Sequence, residues 1–191
     1  MRWLTLYARS RQVPASLAVM LVGAVTAWAL AGDGDGAPGD PRLPVLVLAM
    51  GAMAASTGLS GQDLALDRTA AIRWAPRRAA HVLLAGVVVC TVLLTVRTVG
   101  EAMATTAFVV RDSAGLMGLA ALGAALSGGR YAWTLPFAWL SFSFLAPPPT
   151  SAPMQVATWM LLPSGTAAGT WTALVLAVAG TAAYAVAGPG R

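Results

Sequence analysis

The stretch Ser60–Arg78, SGQDLALDRTAAIRWAPRR, separates two apolar runs that are each about long enough to cross a bilayer. Its charged residues are Asp63, Asp67, Arg68, Arg73, Arg77 and Arg78. Arginines resist translocation, so a short loop with four of them predicts that this loop is cytoplasmic. This basic loop, residues 60–78, therefore decides the topology from which the rest of the fold is worked out.

The composition predicts a membrane protein. The chain has 191 residues, of which 58% are hydrophobic and 10% charged, and its mean hydropathy is +0.72. A soluble domain has roughly 25% charged residues. The net charge of +5 does not indicate a nucleic-acid partner, because the arginines are divided between the two predicted faces of the membrane. We expect an all-α, polytopic protein with a single transmembrane domain over residues 1–191.

Six apolar runs approach the roughly 20 residues that a helical span needs. They are residues 13–32, 43–59, 79–96, 113–127, 131–146 and 166–187. With both termini inside, nine arginines are cytoplasmic and three, Arg42, Arg97 and Arg111, are external. This asymmetry follows the positive-inside rule and predicts a multi-pass protein of the plasma membrane with cytoplasmic termini.

Residues 97–112 interrupt this pattern. The charged side chains Arg97, Glu101, Arg111 and Asp112 surround an apolar stretch that is too short to cross. We predict an external interfacial segment, in which these groups form ion pairs or an outer gate. In the alternative, residues 102–110 extend the fourth helix, which buries Arg111 and Asp112 in the bilayer unless they pair.

Two further segments are predicted to lie at the membrane surface. Residues 1–12 place Trp3, Leu6 and Tyr7 on one helical face, which is typical of an interfacial helix; a basic tail that only sets the topology is the alternative. Residues 147–165, PPPTSAPMQVATWMLLPSG, are apolar in the middle but too short to span. They predict an outer re-entrant segment whose backbone is covered by protein.

The basic loop is predicted to contain a helix of its own over residues 61–75. Ser60 and Asp63 have the spacing of a capping box, and Pro76 would stop the helix. Leu64 and Trp74 would be exposed apolar side chains on it. Such a helix either docks on a soluble partner or lies on the membrane as a connector.

Small and aromatic residues give two packing predictions. Small residues recur at every fourth position in the first and fourth spans, which favours close helix contacts within one chain or between two copies. The fifth span is rich in aromatic residues. Among them, Trp133, Phe137 and Trp139 are candidates for lining the cavity of an apolar substrate.

The sequence contains no recognisable catalytic constellation. It has one histidine, one cysteine and no lysine, so neither a histidine-based metal site nor a phosphate loop with its lysine can be built from this chain. We therefore expect no catalytic residue, no metal and no cofactor in the chain, and any energy from ATP must come from a partner.

Several segments together resemble the small membrane subunits of ABC-2-type (type V) exporters, in particular short actinobacterial ones. They are RWLTLYARSR, DLALDRTAAIRWAPRRAAH, VRDSAGLMGLA, AWTLPFAW and QVATWMLLP. The resemblance covers nearly the whole chain. It departs from the family in the long, charged connection between the third and fourth spans.

The resemblance implies that the helix of the basic loop is a coupling helix seated in a separate ATPase. The contact residues would be Asp63, Leu64, Asp67, Arg68, Arg73 and Trp74. It also implies two membrane subunits, identical or different, and two ATPases that hold ATP and Mg²⁺. The expected substrate is a peptide, an antibiotic or a lipid-like molecule. The alternatives are a vitamin importer's substrate-binding subunit, a non-transporting accessory or immunity protein, and a membrane-embedded enzyme.

Overall fold

The structure is a computed structural model that describes residues 40–60, 74–99 and 104–190, together with residues 18, 21–23 and 25–26. The side chains of residues 96–99 are not among those described. Helices and turns make up the described ranges, with no strand among them. The helices are α1 (Arg42–Ser56), α2 (Trp74–Val99), α3 (Thr106–Ser127), α4 (Thr134–Leu145), α5 (Ala152–Ala157) and α6 (Ala167–Ala187). Short 3-10 helices over Thr57–Leu59, Gly129–Tyr131 and Trp159–Leu161 adjoin α1, α4 and α5.

Four of these helices are long and apolar enough to cross a membrane. They are α1 with its 3-10 extension, α2, α3 and α6, with mean hydropathies of 1.4 to 1.9. This confirms the all-helical prediction and indicates a membrane protein. The predicted fifth span is a 12-residue helix, α4, of about 18 Å, which is shorter than the hydrocarbon core.

The predicted first span lies mostly outside the described residues. Of its residues, Ala18 and those at 21–23 and 25–26 are helical. A Cβ atom at Gly23 would lie 3.6 Å from the Met50 side chain of α1, so this segment reaches α1. The predicted interfacial helix, residues 1–12, is outside the described part of the chain.

The prediction of an external interfacial segment over residues 97–112 is wrong for most of its length. Helix α2 continues to Val99, and α3 already begins at Thr106, seven residues before the predicted start at 113. The Thr105 side chain caps α3 by accepting a hydrogen bond from the Phe108 backbone N–H at 3.2 Å. The alternative of a longer fourth helix is therefore closer to the structure.

The predicted end of the loop helix at Pro76 is also wrong. Trp74 is the first described residue of α2, and the helix runs without interruption through Pro76. The backbone N–H groups in the first turn of a helix have no intrahelical partner. A proline there costs no hydrogen bond, so proline can stand at the start of a helix as well as after its end. The third span thus already includes Trp74 rather than beginning at 79.

Helix α3 lies at the centre of the bundle and contacts α1, α2, α4 and α6, most extensively α6. The bundle contains two apolar clusters. The larger one includes Leu48, Val89, Leu116 and Trp159. The smaller one includes Leu59, Val82, Ala120 and Tyr184.

Connections between the helices gather at two ends of the bundle. At one end the Tyr184 hydroxyl donates a hydrogen bond to the Leu59 carbonyl at 2.8 Å, and a Cβ atom on Gly129 would overlap the Ser60 backbone. Arg78 of α2 packs there against Gly188. We call this the basic end, since the basic loop begins and finishes at it. At the far end, Thr105 hydrogen-bonds to Ser164, with their hydroxyl oxygens 3.0 Å apart.

Candidate functional site: an apolar groove between three helices

Helices α3 and α6 are in backbone contact, which leaves no space between them. A Cβ atom at Gly180 would overlap the carbonyl oxygen of Gly118, and one at Gly118 would overlap the backbone of Leu176 and Ala177. Only glycine permits such an approach. Close packing through small residues is one of the forces that hold helices together in lipid, so we treat α3 and α6 as one unit.

On a neighbouring side of α3 the packing is open. A groove of about 240 Å³ lies between α2, α3 and α6. Its lining includes Val82, Gly86 and Cys90 of α2, Ala114 and Met117 of α3, and Thr181 of α6. The α2 side chains Leu83 and Val87, which also line it, are 62% and 61% exposed. The groove is therefore open towards the outside of the bundle.

The surface of the groove is apolar although some lining residues carry hydroxyl groups. The Thr91 hydroxyl donates to the Val87 carbonyl at 2.7 Å, and the Ser113 hydroxyl donates to the Val110 carbonyl at 3.1 Å. Both hydroxyls are thus used within their own helices. The surface that the groove presents to a ligand is therefore mainly hydrocarbon.

A cation lies at the end of the groove nearest the basic end. Arg78 precedes Val82 by one helical turn on α2, and residues four apart share a face of a helix. A Cβ atom on Gly188 would lie 2.7 Å from Nη1 of Arg78, so the guanidinium group rests against the end of α6. The neighbouring Arg77 stacks over the Trp74 ring at 5.9 Å from its centroid.

The far end of α3 carries a buried ion pair. The Arg111 Nε–H donates to Asp112 Oδ1 at 2.7 Å, and their side chains are 7% and 0% exposed. Arg111 also donates from Nη1 to the Pro163 carbonyl at 3.0 Å and from Nη2 to the Leu162 carbonyl at 2.8 Å. Among the described residues, Asp112 Oδ2 has no hydrogen-bond partner. Arg111 therefore ties α3 to the segment that precedes α6.

Only part of the predicted outer cluster comes together in the structure. Arg111 and Asp112 pair with each other inside α3 rather than at an interfacial segment. Glu101 and the side chain of Arg97 lie outside the described residues. Sequence patterns did not reveal the carbonyl partners of Arg111, since these lie about fifty residues further along the chain.

The predicted aromatic cavity residues do not line the groove. Trp133 and Phe137 form an edge-to-face pair with their ring centroids 5.9 Å apart, and they are 42% and 50% exposed. Trp139 is not part of this pair, and its indole N–H donates to the Ala157 carbonyl at 2.7 Å. Trp139 thereby helps to hold α5 against α4.

Most of the predicted ATPase-docking residues are outside the described part of the chain: Asp63, Leu64, Asp67, Arg68 and Arg73. Trp74 is described and lies in the first turn of α2, where it is half-buried. The described residues contain no group of three side chains suited to holding a metal ion.

Comparison with known proteins adds no assignment: no protein-family model, no curated protein and no solved structure matches this chain.

Proposed function

We propose that this protein is the membrane-spanning permease subunit of an ATP-driven exporter. Its ATP and Mg²⁺ would be held by a separate ATPase, and its substrate would be hydrophobic or amphipathic. Four helices suited to crossing a membrane and an arginine-rich connection between α1 and α2 support this proposal. A second membrane subunit, identical or different, would complete the transport path.

One observation carries the proposal: the basic loop continues directly into α2, and α2 forms a wall of the groove. A partner that pushes on the loop therefore acts on the groove through a single continuous helix. Since α3 and α6 are in backbone contact, the movement with least resistance is that of α2 relative to this pair. Docking at the basic end would thus widen or narrow the groove.

The apolar lining favours this function over vitamin import. A water-soluble vitamin carries polar groups, and burying them without hydrogen-bond partners is costly. Of the three hydroxyl groups in the lining, those of Thr91 and Ser113 already donate to backbone carbonyls, which leaves Thr181 as the hydroxyl donor for a ligand. An alkyl chain needs no such partner.

The test is to purify the tagged full-length chain from its native membranes and identify co-purifying ATPases. We expect an ABC-type ATPase, and we expect Asp67→Ala and Arg68→Ala to weaken its association and its ATP-dependent transport. The matched controls are Asp40→Ala and Arg42→Ala, which lie just before or at the start of α1 and should change neither. Unchanged ATPase association in the loop variants would overturn the docking assignment.

A further inference from the structure

We infer that the groove between α2, α3 and α6 is a binding site for one alkyl chain of an anionic lipid, whose acidic head group contacts Arg78. This deepens the proposed function by naming a substrate class. It rests on that function only for the claim that the bound lipid is transported. Lipid binding itself requires only this protein and a membrane.

The dimensions of the groove select an alkyl chain over a helix of another subunit. From Val82 to Thr91 the lining of α2 extends for about 14 Å at 1.5 Å per residue. A helix of that length with a diameter near 10 Å would occupy on the order of 1,000 Å³. The groove has about 240 Å³. A single hydrocarbon chain can lie within the groove, whereas a helix could place only some of its side chains there.

The contacts at the floor of the groove explain why an alkyl chain would remain bound there. Gly86 and Met117 form this floor, and a Cβ atom at position 86 would meet Met117 Cγ at 3.5 Å, an ordinary contact distance. The chain would thus touch α2, α3 and α6 at once. A lipid on the outer surface of a single helix has contacts on one side only, and contact area determines dispersion attraction.

The charge at one end of the groove selects the head group. Arg78 lies one turn beyond Val82 on α2, at the basic end and just outside the lining, and a guanidinium group is suited to binding phosphate oxygens. Arg77, Arg78 and Arg130 make this end of the described bundle positive. Under the predicted topology this end faces the cytoplasm, whose leaflet is the one enriched in anionic lipid.

The direct test uses the purified full-length chain in phosphatidylcholine nanodiscs. The probe is a trace of phosphatidylglycerol with a photoactivatable group on one acyl chain, and the same probe with a choline head group is the comparison. We expect the anionic probe to label peptides of α2, α3 and α6 that line the groove about fivefold more strongly, which corresponds to one arginine contact. Equal labelling by the two probes would overturn the inference.

Two pairs of variants test the contact with the alkyl chain and the contact with the head group separately. Gly86→Leu fills the groove and should abolish labelling by both probes there, whereas Ala80→Leu, an exposed position of the same helix, should leave it unchanged. Arg78→Gln should reduce the preference for the anionic probe to about one, while Arg78→Lys should retain most of it. Arg130→Gln, which removes an exposed arginine of the same end, is the control that should reduce the preference less than Arg78→Gln does.

The outcomes distinguish this inference from the proposed function. If anionic lipid labels the groove but no ATPase co-purifies, the binding site stands and the exporter proposal fails. If an ATPase associates through the basic loop but Gly86→Leu leaves the labelling intact, the lipid site fails alone. Thermal unfolding of each variant identifies a lost fold, and labelling of a folded Gly86→Leu protein at the original strength contradicts the inference.

Discussion

Helix α3 has two contrasting sides. Towards α6 it is joined by backbone contact at Gly118 and Gly180, and its Arg111 binds the carbonyls just before α6. Towards α2 it leaves a groove, across which Gly86 meets only the Met117 side chain. From this contrast we infer that α3 and α6 are the fixed pair of the bundle and that α2 is its adjustable wall.

Because of this difference, similar small residues of α3 have different neighbours. Gly118 and Ala114 are one turn apart on α3 and both line the groove, yet Gly118 is also in backbone contact with α6. Small residues permit close approach, but whether a neighbour occupies the space depends on the partner helix. The fixed side should therefore respond strongly to substitution, and the open side weakly.

The largest expected effect is at the buried pair on the fixed side. Arg111→Met removes the ion pair and two further hydrogen bonds and leaves the Asp112 carboxylate uncompensated, which should lower the free energy of unfolding by about 3–5 kcal/mol. The measurement is an unfolding titration in mixed detergent micelles.

The double variant Arg111→Met with Asp112→Leu is the matched control for this pair. It replaces both charges by apolar groups and should regain more than half of the lost stability, because a buried pair contributes little net free energy of its own. A double variant as unstable as the single one would show that the charge left on Asp112 is not the cause.

A comparison of two glycines tests the contrast between the sides directly. Gly180→Ala must separate the backbones of α3 and α6 and should cost about 3 kcal/mol. Gly86→Ala adds the same methyl group on the groove side, where it fits, and should be neutral or stabilising by up to about 1 kcal/mol through helix propensity. Equal destabilisation by the two variants would remove the distinction between a fixed and an open side.

A smaller effect is expected at the basic end. Tyr184→Phe removes the hydrogen bond to the Leu59 carbonyl, and the loss should be about 1 kcal/mol in the same titration. Tyr131→Phe is the control, since Tyr131 is 50% exposed. If both variants unfold like the wild type, the link between α6 and the end of α1 contributes nothing to the basic end.

The apolar helices were predictable from the sequence because hydropathy and span length are local properties. The start of α3 was not, since Arg111 and Asp112 lower the local hydropathy and break the pattern. What allows them inside the helix is their pairing and the carbonyls of Leu162 and Pro163, and no local pattern reveals partners so distant in sequence.

The candidate site was less predictable than the helices. The side chains of Trp133 and Phe137 were predicted to line a cavity because large rings often do so. In the structure they pair with each other at the surface. The groove is instead lined largely by small and aliphatic residues. Its existence depends on how α2 is placed against α3 and α6, which composition does not encode.

The most direct test of the account is whether α2 moves against the fixed pair. In a Cys90→Ala background, spin labels on Leu84→Cys with Val186→Cys report the α2–α6 distance, and labels on Leu126→Cys with Val186→Cys report the α3–α6 distance; all three positions are at least 64% exposed. Electron–electron distance distributions are compared in phosphatidylcholine nanodiscs with and without phosphatidylglycerol. We predict a broad α2–α6 distribution that shifts with the anionic lipid, and a narrow α3–α6 distribution that does not. An α2–α6 distribution as narrow and as constant as the α3–α6 one would contradict the account.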